Sequence, residues 1–120
     1  MTNPTKRTQL LADRLISFGG RTCALIRRAP RDYVLENVFR QLARCATSPA
    51  ANYAEAREAT STRDYVNKLK ICVKELREAQ AWLRMAESTG FRPKEMQALI
   101  RESDELIAIS VACIRRATGG

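Results

Sequence analysis

Residues 41–83 read QLARCATSPAANYAEAREATSTRDYVNKLKICVKELREAQAWL, and apolar residues recur through them every three or four positions. That period belongs to an α-helix buried along one side, and no stretch of the chain alternates with the period of two that marks a half-buried strand. In the second half of the run, Tyr65, Leu69, Cys72, Leu76, Ala79 and Leu83 form an unbroken four-three repeat that Ala86 continues, the spacing that packs helix against helix. Two polar stripes lie beside the apolar seams at a spacing of seven: Gln41, Ser48 and Glu55, then Ser61, Lys68, Glu75 and Trp82. Residues seven apart fall nearly on one line of a helix, so each stripe edges a packed seam and does not face water all round.

Working outward, the run is the end of one helix and most of the next. Helix 2 is predicted over about residues 32–59, sending Val34, Val38, Leu42, Cys45 and Asn52 toward the core with Leu35 and Ala56 nearby. Pro49 falls inside it. An internal proline removes one backbone hydrogen bond and crowds the preceding turn, which predicts a kink near Pro49 with Thr47 and Ser48 able to satisfy freed groups. Helix 3 is predicted over residues 62–88, with Ser61 as N-cap, Asp64 three residues on and Gly90 closing the end.

Helix 1, over about residues 6–28, spaces Leu11, Leu15, Phe18, Thr22 and Leu25 along one face. Gly19 and Gly20 should weaken it, each by about 1 kcal/mol relative to Ala. Arg27 and Arg28 complement the negative end of its dipole, and Pro30 stops it. Helix 4, over about residues 93–116, begins with Pro93 in its first turn and presents Met96, Ile100, Ser103, Ile107, Ser110 and Ile114, flanked by Leu99, Leu106 and Cys113. The tail from Ala117 to Gly120 is expected to fray. Short connections make consecutive helices antiparallel neighbours, so the expected fold is all-α: one domain, residues 1–120, folded as an up-down-up-down four-helix bundle with crossing angles of roughly 20°.

A chain of 120 residues with 45% apolar residues can bury a core without a disulfide or a metal. No apolar run is long enough to span a bilayer and the start MTNPTKRTQ has no secretory core, so the expectation is a soluble, cytoplasmic protein without a membrane partner. The four cysteines, Cys23, Cys45, Cys72 and Cys113, show no CxxC spacing and each falls in a different helix on or beside its apolar seam. They read as small buried hydrophobes of a reducing compartment.

The chain contains no His, which removes Ser-His and Cys-His nucleophiles and the Glu-x-x-His ligand sets of di-iron bundles. There is no phosphate-binding loop and no dinucleotide glycine fingerprint. Glu55 and Glu58 share a helix end, but nothing gathers a pocket around them, so they read as exposed end charges. No catalytic residue, metal ligand or cofactor is assigned, and the chain is expected not to be an enzyme.

The net charge of +8 attracts polyanions. One flank of helix 3 carries Arg63, Lys70, Arg77 and Arg84, with Lys74 nearby, a line suited to phosphates because Arg and Lys neutralise a nucleic-acid backbone without reading its bases. In an up-down bundle Arg27, Arg28, Arg31, Arg84, Arg92 and Lys94 meet at one end, and Lys6, Arg57, Arg63, Arg115 and Arg116 at the other. The stripes are read as helix-pair lining or as an oligomer interface made of Gln41, Ser48, Asn52, Glu55, Lys68, Ile71, Glu75 and Trp82. On the helix 3 wheel the polar stripe lies roughly 40 to 100° from the core seam, with Ile71 farther round, an arc wider than one seam needs. Pairing helices 2 and 3 about a turn near Thr60 sets Glu55 beside Lys68, Ser48 beside Glu75 and Gln41 beside Trp82. It predicts an ion pair at the first level and a hydrogen bond from Ser48 or Asn52 to Glu75 at the second.

With LADRLISF at residues 11–18, the stretches QLARCATSPAANYAEA and STRDYVNKLKICVKELREAQAWL resemble the bacterial four-helix-bundle family whose members include proteins encoded in intervening sequences of 23S ribosomal RNA genes. The resemblance covers nearly the whole chain and is most specific from Gln41 to Leu83. Asn52, Glu55, Ser61, Lys68, Glu75 and Trp82 match the family's recurrent positions, whereas Pro49 stands where an aliphatic residue is usual. The family is related to the accessory variability protein of diversity-generating retroelements, a basic bundle that forms a pentameric ring and works with a reverse transcriptase and RNA. The resemblance therefore implies a homopentamer with a basic surface for RNA or DNA, and a reverse transcriptase as partner where one is encoded beside it. The function expected is a non-enzymatic nucleic-acid-binding accessory protein; the alternative is a protein-interaction scaffold that binds no nucleic acid.

Overall fold

A computed structural model describes the backbone of residues 4–120 and the side chains from Leu10 onward, so the side chain of Lys6 lies outside the described residues. The chain forms four helices, α1 (Pro4–Arg28), α2 (Glu36–Arg57), α3 (Thr62–Ser88) and α4 (Pro93–Thr118), with no strand among the described residues. Each helix packs on its neighbour in sequence, and α1 also packs on α4. The result is a four-helix bundle with its buried side chains in one cluster.

The α3 seam is buried as its periodicity predicts: Leu69, Cys72, Leu76, Ala79, Leu83 and Ala86 are inside, and Tyr65 is half-buried at the end of the row. Ser61 caps the helix by accepting from the Asp64 N–H at 3.1 Å. Its other end closes in a Schellman turn, with the Gly90 N–H on the Glu87 carbonyl at 2.9 Å and the Phe91 N–H on the Ala86 carbonyl at 3.3 Å. Gly90 takes φ +87°, a value that favours glycine. Arg92, the residue before Pro93, also has positive φ, 34°, as the N-cap position of α4.

Four boundaries differ from expectation, the first being α1, which begins at Pro4 and not near Lys6. Helix α2 begins at Glu36 and not near Asp32: residues 33–35 form a turn closed by the Leu35 N–H on the Asp32 carbonyl at 3.2 Å, and the Asp32 carboxylate accepts from the N–H groups of Val34 (2.9 Å) and Leu35 (3.4 Å) as it would at a helix start. Val34, expected in the core, is consequently 77% exposed, and Leu35 is buried in its place. At its far end α2 stops at Arg57, where the Glu58 and Ala59 N–H groups turn back onto the Glu55 and Ala56 carbonyls. The tail expected to fray from Ala117 remains helical to Thr118, whose hydroxyl donates to the Ile114 carbonyl at 3.0 Å. Helix α2 continues without a break through Pro49, which is buried.

The interior has no stranded polar atom: among the described residues every buried side-chain nitrogen or oxygen has a hydrogen-bond partner. Thr22 and Ser110 donate to carbonyls one turn back in their own helices, at 2.8 Å each, and Ser103 donates to the Ile100 carbonyl at 2.6 Å. Gly19, which weakens α1 intrinsically, sits where α1 crosses α2 backbone to backbone. A Cβ there would lie 2.9 Å from the Ala46 carbonyl oxygen. All four cysteines are free thiols, Cys45, Cys72 and Cys113 buried and Cys23 half-buried.

Candidate nucleic-acid interface

The seam between α2 and α3 separates charges that are committed to structure from charges that remain available. The two helices run antiparallel: Lys68 Nζ donates to Glu55 Oε1 at 2.8 Å, Cys72 Sγ to the Pro49 carbonyl at 3.4 Å, and Arg44 Nη1 to Glu75 Oε2 at 3.2 Å. The Glu55–Lys68 pair is the one that level-matching predicts. At the next level the expected contact is replaced, since Asn52 donates to its own helix, to Ser48 Oγ at 2.9 Å and the Ser48 carbonyl at 3.0 Å. Arg44 binds Glu75 instead.

Arg44 is the residue that reasoning on the stripes missed. Its guanidinium contacts Glu75 and Glu78 on α3, Gln41 Oε1 at 3.3 Å and Cys45 Sγ at 3.2 Å. Trp82 Nε1 donates to Glu78 Oε2 at 3.4 Å, so Gln41 and Trp82 meet through this hub. The same antiparallel register could have found it, because Arg44 stands at the level of Glu78 and one turn from Glu75. Burial pushes the Cys45 thiol up to about 12, helped by its hydrogen bond to Glu78. Glu78 is held below the usual carboxylate range by that same hydrogen bond and by those from Trp82 and Arg44. A carboxylate with a depressed folded pKa stabilises at neutral pH, and that contribution is lost as pH falls through its folded value.

Cys45, Glu75 and Glu78 bring one thiol and two carboxylates within 4.8 Å of one another, a spacing that could suit a cation. Arg44 already supplies the positive charge there, pairing with both carboxylates, so the trio is a closed ion-pair cluster. Glu75 is only 8% exposed. Arg44→Ala would therefore strand a buried carboxylate and should lower the thermal midpoint, and Glu75→Gln in the same background should restore much of the loss. An Arg44→Ala melting curve superimposable on that of the parent would contradict this account.

Other cations are also spent on the fold. Arg14 grips Glu102 on α4 through two hydrogen bonds, at 2.7 and 3.0 Å, and Arg92 reaches Glu95 at 3.7 Å while lying over the Phe91 ring. By contrast Arg63, Lys70, Lys74, Arg77 and Arg84 are all exposed, and none makes an ion pair among the described residues. Arg27, Arg28 and Arg31 are likewise exposed and unpaired within the described residues. The Phe39 and Phe91 rings, with centroids 4.9 Å apart, join the start of α2 to the turn after α3, so Arg27, Arg28 and Arg31 share an end with Arg92 and Lys94. Arg84 lies nearby in a shallow hollow with Glu87, Gln97, Ile100 and Arg101. At the opposite end a second hollow joins Arg57 and Thr62 to Ala117.

Of the residues read as oligomer interface, Gln41, Ser48, Asn52, Lys68, Glu75 and Trp82 are covered wholly or partly within the chain, with Glu55 more exposed and Ile71 39% exposed; Met85, outside that set, is 46% exposed. No helix among the described residues is long and apolar enough to cross a membrane.

A basic four-helix bundle with its seam charges neutralised internally and its free cations on an open helix face is the class that this fold and surface define. The chain belongs to the 23S rRNA-intervening sequence protein family, which matches it over residues 15–112. It is also similar to a solved structure of a protein of unknown function from the S23 ribosomal protein family of Bacteroides thetaiotaomicron. That likeness has 25% identity and a TM-score of 0.77, covering 88% of this chain and 98% of the other. No curated protein matches the chain.

Proposed function

We propose that the protein is a non-enzymatic accessory protein that binds RNA or DNA through its phosphates. The observation that carries this reading is the row Arg63, Lys70, Arg77 and Arg84, exposed along one flank of α3 without a carboxylate partner. At 1.5 Å per residue the row spans about 30 Å, close to one turn of a duplex at about 34 Å. Such cations grip a backbone and leave base identity unread, so binding should tolerate sequence and weaken steeply with salt. Self-association through the α2–α3 face, as a pentamer or another closed ring, would repeat the row around the assembly; light scattering counts the subunits.

Fluorescence anisotropy with labelled structured RNA and duplex DNA tests the reading. Affinity is expected to fall by at least tenfold between about 50 and about 200 mM salt. No complex at the lowest salt, or an affinity indifferent to salt, would refute it. The second reading, a protein-interaction scaffold, draws on Ile71 and Met85, exposed on the same helix as half-buried Trp82. A partner protein retained after nuclease treatment, together with no nucleic-acid binding, would favour the scaffold.

A further inference from the structure

The turn between α1 and α2 holds an aromatic side chain in water for no structural gain. Tyr33 is 92% exposed and Val34 beside it 77%, the two most exposed large hydrophobic side chains among the described residues. Their position is set by Asp32, whose carboxylate accepts from the Val34 and Leu35 N–H groups and pins the turn. Tyr33 borders a hollow of about 490 Å³ with apolar walls from Ile26, Ala29, Pro30 and Phe39, and with Arg31, Asp32 and Glu36 on its lining.

Three exposed cations without an ion-pair partner among the described residues, Arg27, Arg28 and Arg31, lie within six positions of Tyr33. Two carboxylates are close by. Asp32 is occupied with backbone donors, and Glu36 stands in the first turn of α2, where the helix dipole already favours a negative charge. An exposed ring beside an apolar recess and unneutralised guanidinium groups has the components of a platform for single strands: the ring stacks an unpaired base and the cations hold its flanking phosphates.

We infer that the α1–α2 turn is a binding site for single-stranded nucleic acid, with Tyr33 stacking on an unpaired base and Arg27, Arg28 and Arg31 holding the adjacent phosphates. This rests on the nucleic-acid reading above and adds to it a strand form and a location at the α1–α2 turn, the bundle end that the α3 row reaches at Arg84. Duplexes keep their bases stacked inside, so Tyr33 contributes to single strands alone.

The test uses the full chain and its variants Tyr33→Ala and Tyr33→Phe, with labelled oligo-U, oligo-dT of about 12 nucleotides, and a duplex of equal length. Tyr33 supports no core packing, and circular dichroism should show all three proteins equally helical. Tyr33→Ala is expected to bind the single strands about tenfold more weakly with an unchanged salt slope, Tyr33→Phe to stay within about twofold of the parent, and duplex affinity to hold for both. A loss confined to oligo-U or to oligo-dT supports the site and identifies which nucleic acid it takes. If the parent binds and Tyr33→Ala binds single strands equally well, or loses duplex affinity to the same degree, this site is overturned while the α3 reading stands. If the parent binds none of the probes at low salt, both fall.

Discussion

Replacing Lys70, Arg77 and Arg84 together with Gln should weaken binding to duplex DNA and structured RNA by about a hundredfold near 100 mM salt, and flatten the log–log salt dependence by about two to three. The size follows from counterion release, since each phosphate that the protein no longer neutralises lowers the slope by close to one unit. The thermal midpoint should not move, because all three side chains are exposed and none is paired with a carboxylate among the described residues. Binding isotherms at several salt concentrations, with melting curves of the same samples, provide the measurement. An affinity and slope equal to the parent's would remove the α3 row from the interface. Spent cations give the contrast. An Arg14→Gln variant, which breaks the two-point grip on Glu102, should affect stability more than nucleic-acid affinity.

Substitution of two adjacent glycines should move stability in opposite directions. Gly20 is exposed in mid-helix and a Cβ there would meet nothing within 4 Å, so Gly20→Ala should stabilise by about 0.5–1 kcal/mol through helix propensity alone. At Gly19 the new methyl would sit 2.9 Å from the Ala46 carbonyl oxygen and 3.4 Å from the Thr47 Cα. Both are backbone atoms of α2, so relief requires the two helices to separate. Overpacking of this kind costs about 1–3 kcal/mol and outweighs the same propensity gain, leaving Gly19→Ala destabilised by about 1–2 kcal/mol. Urea denaturation of the two variants separates the cases, and a stabilised Gly19→Ala would mean that α1 and α2 do not cross there.

Much of the fold is legible before any coordinates. The four-three row on α3 is a property of spacing, and each of its members from Leu69 to Ala86 is buried. The Glu55–Lys68 pair is legible too, because an antiparallel turn near Thr60 leaves little freedom in their level. The start of α2 was not legible. The Asp32 carboxylate accepts from the Val34 and Leu35 N–H groups as it would in either a helix start or a local turn, and only the folded backbone, a turn at 33–35 with helix from Glu36, decides between them. That choice moves Tyr33 and Val34 from a helix face to an exposed turn. Arg44 escaped notice for a different reason: a search at intervals of seven follows one line of a helix, whereas a long guanidinium reaches across two turns of its neighbour.

By itself the sequence determined the helices, their buried faces, the excess of positive charge and the absence of a histidine-based site. These are properties of composition and of order along one dimension, and helical periodicity is local. Only the tertiary structure decided which of the cations are committed and which are free, and why Gly19 is tolerated in a helix it weakens. Ion pairing and backbone approach depend on ångström-scale distances between segments far apart in the chain. Arg14, Arg44 and Lys68 look no different in sequence from Lys70, Arg77 and Arg84; packing places carboxylates beside the first three and leaves the others facing water.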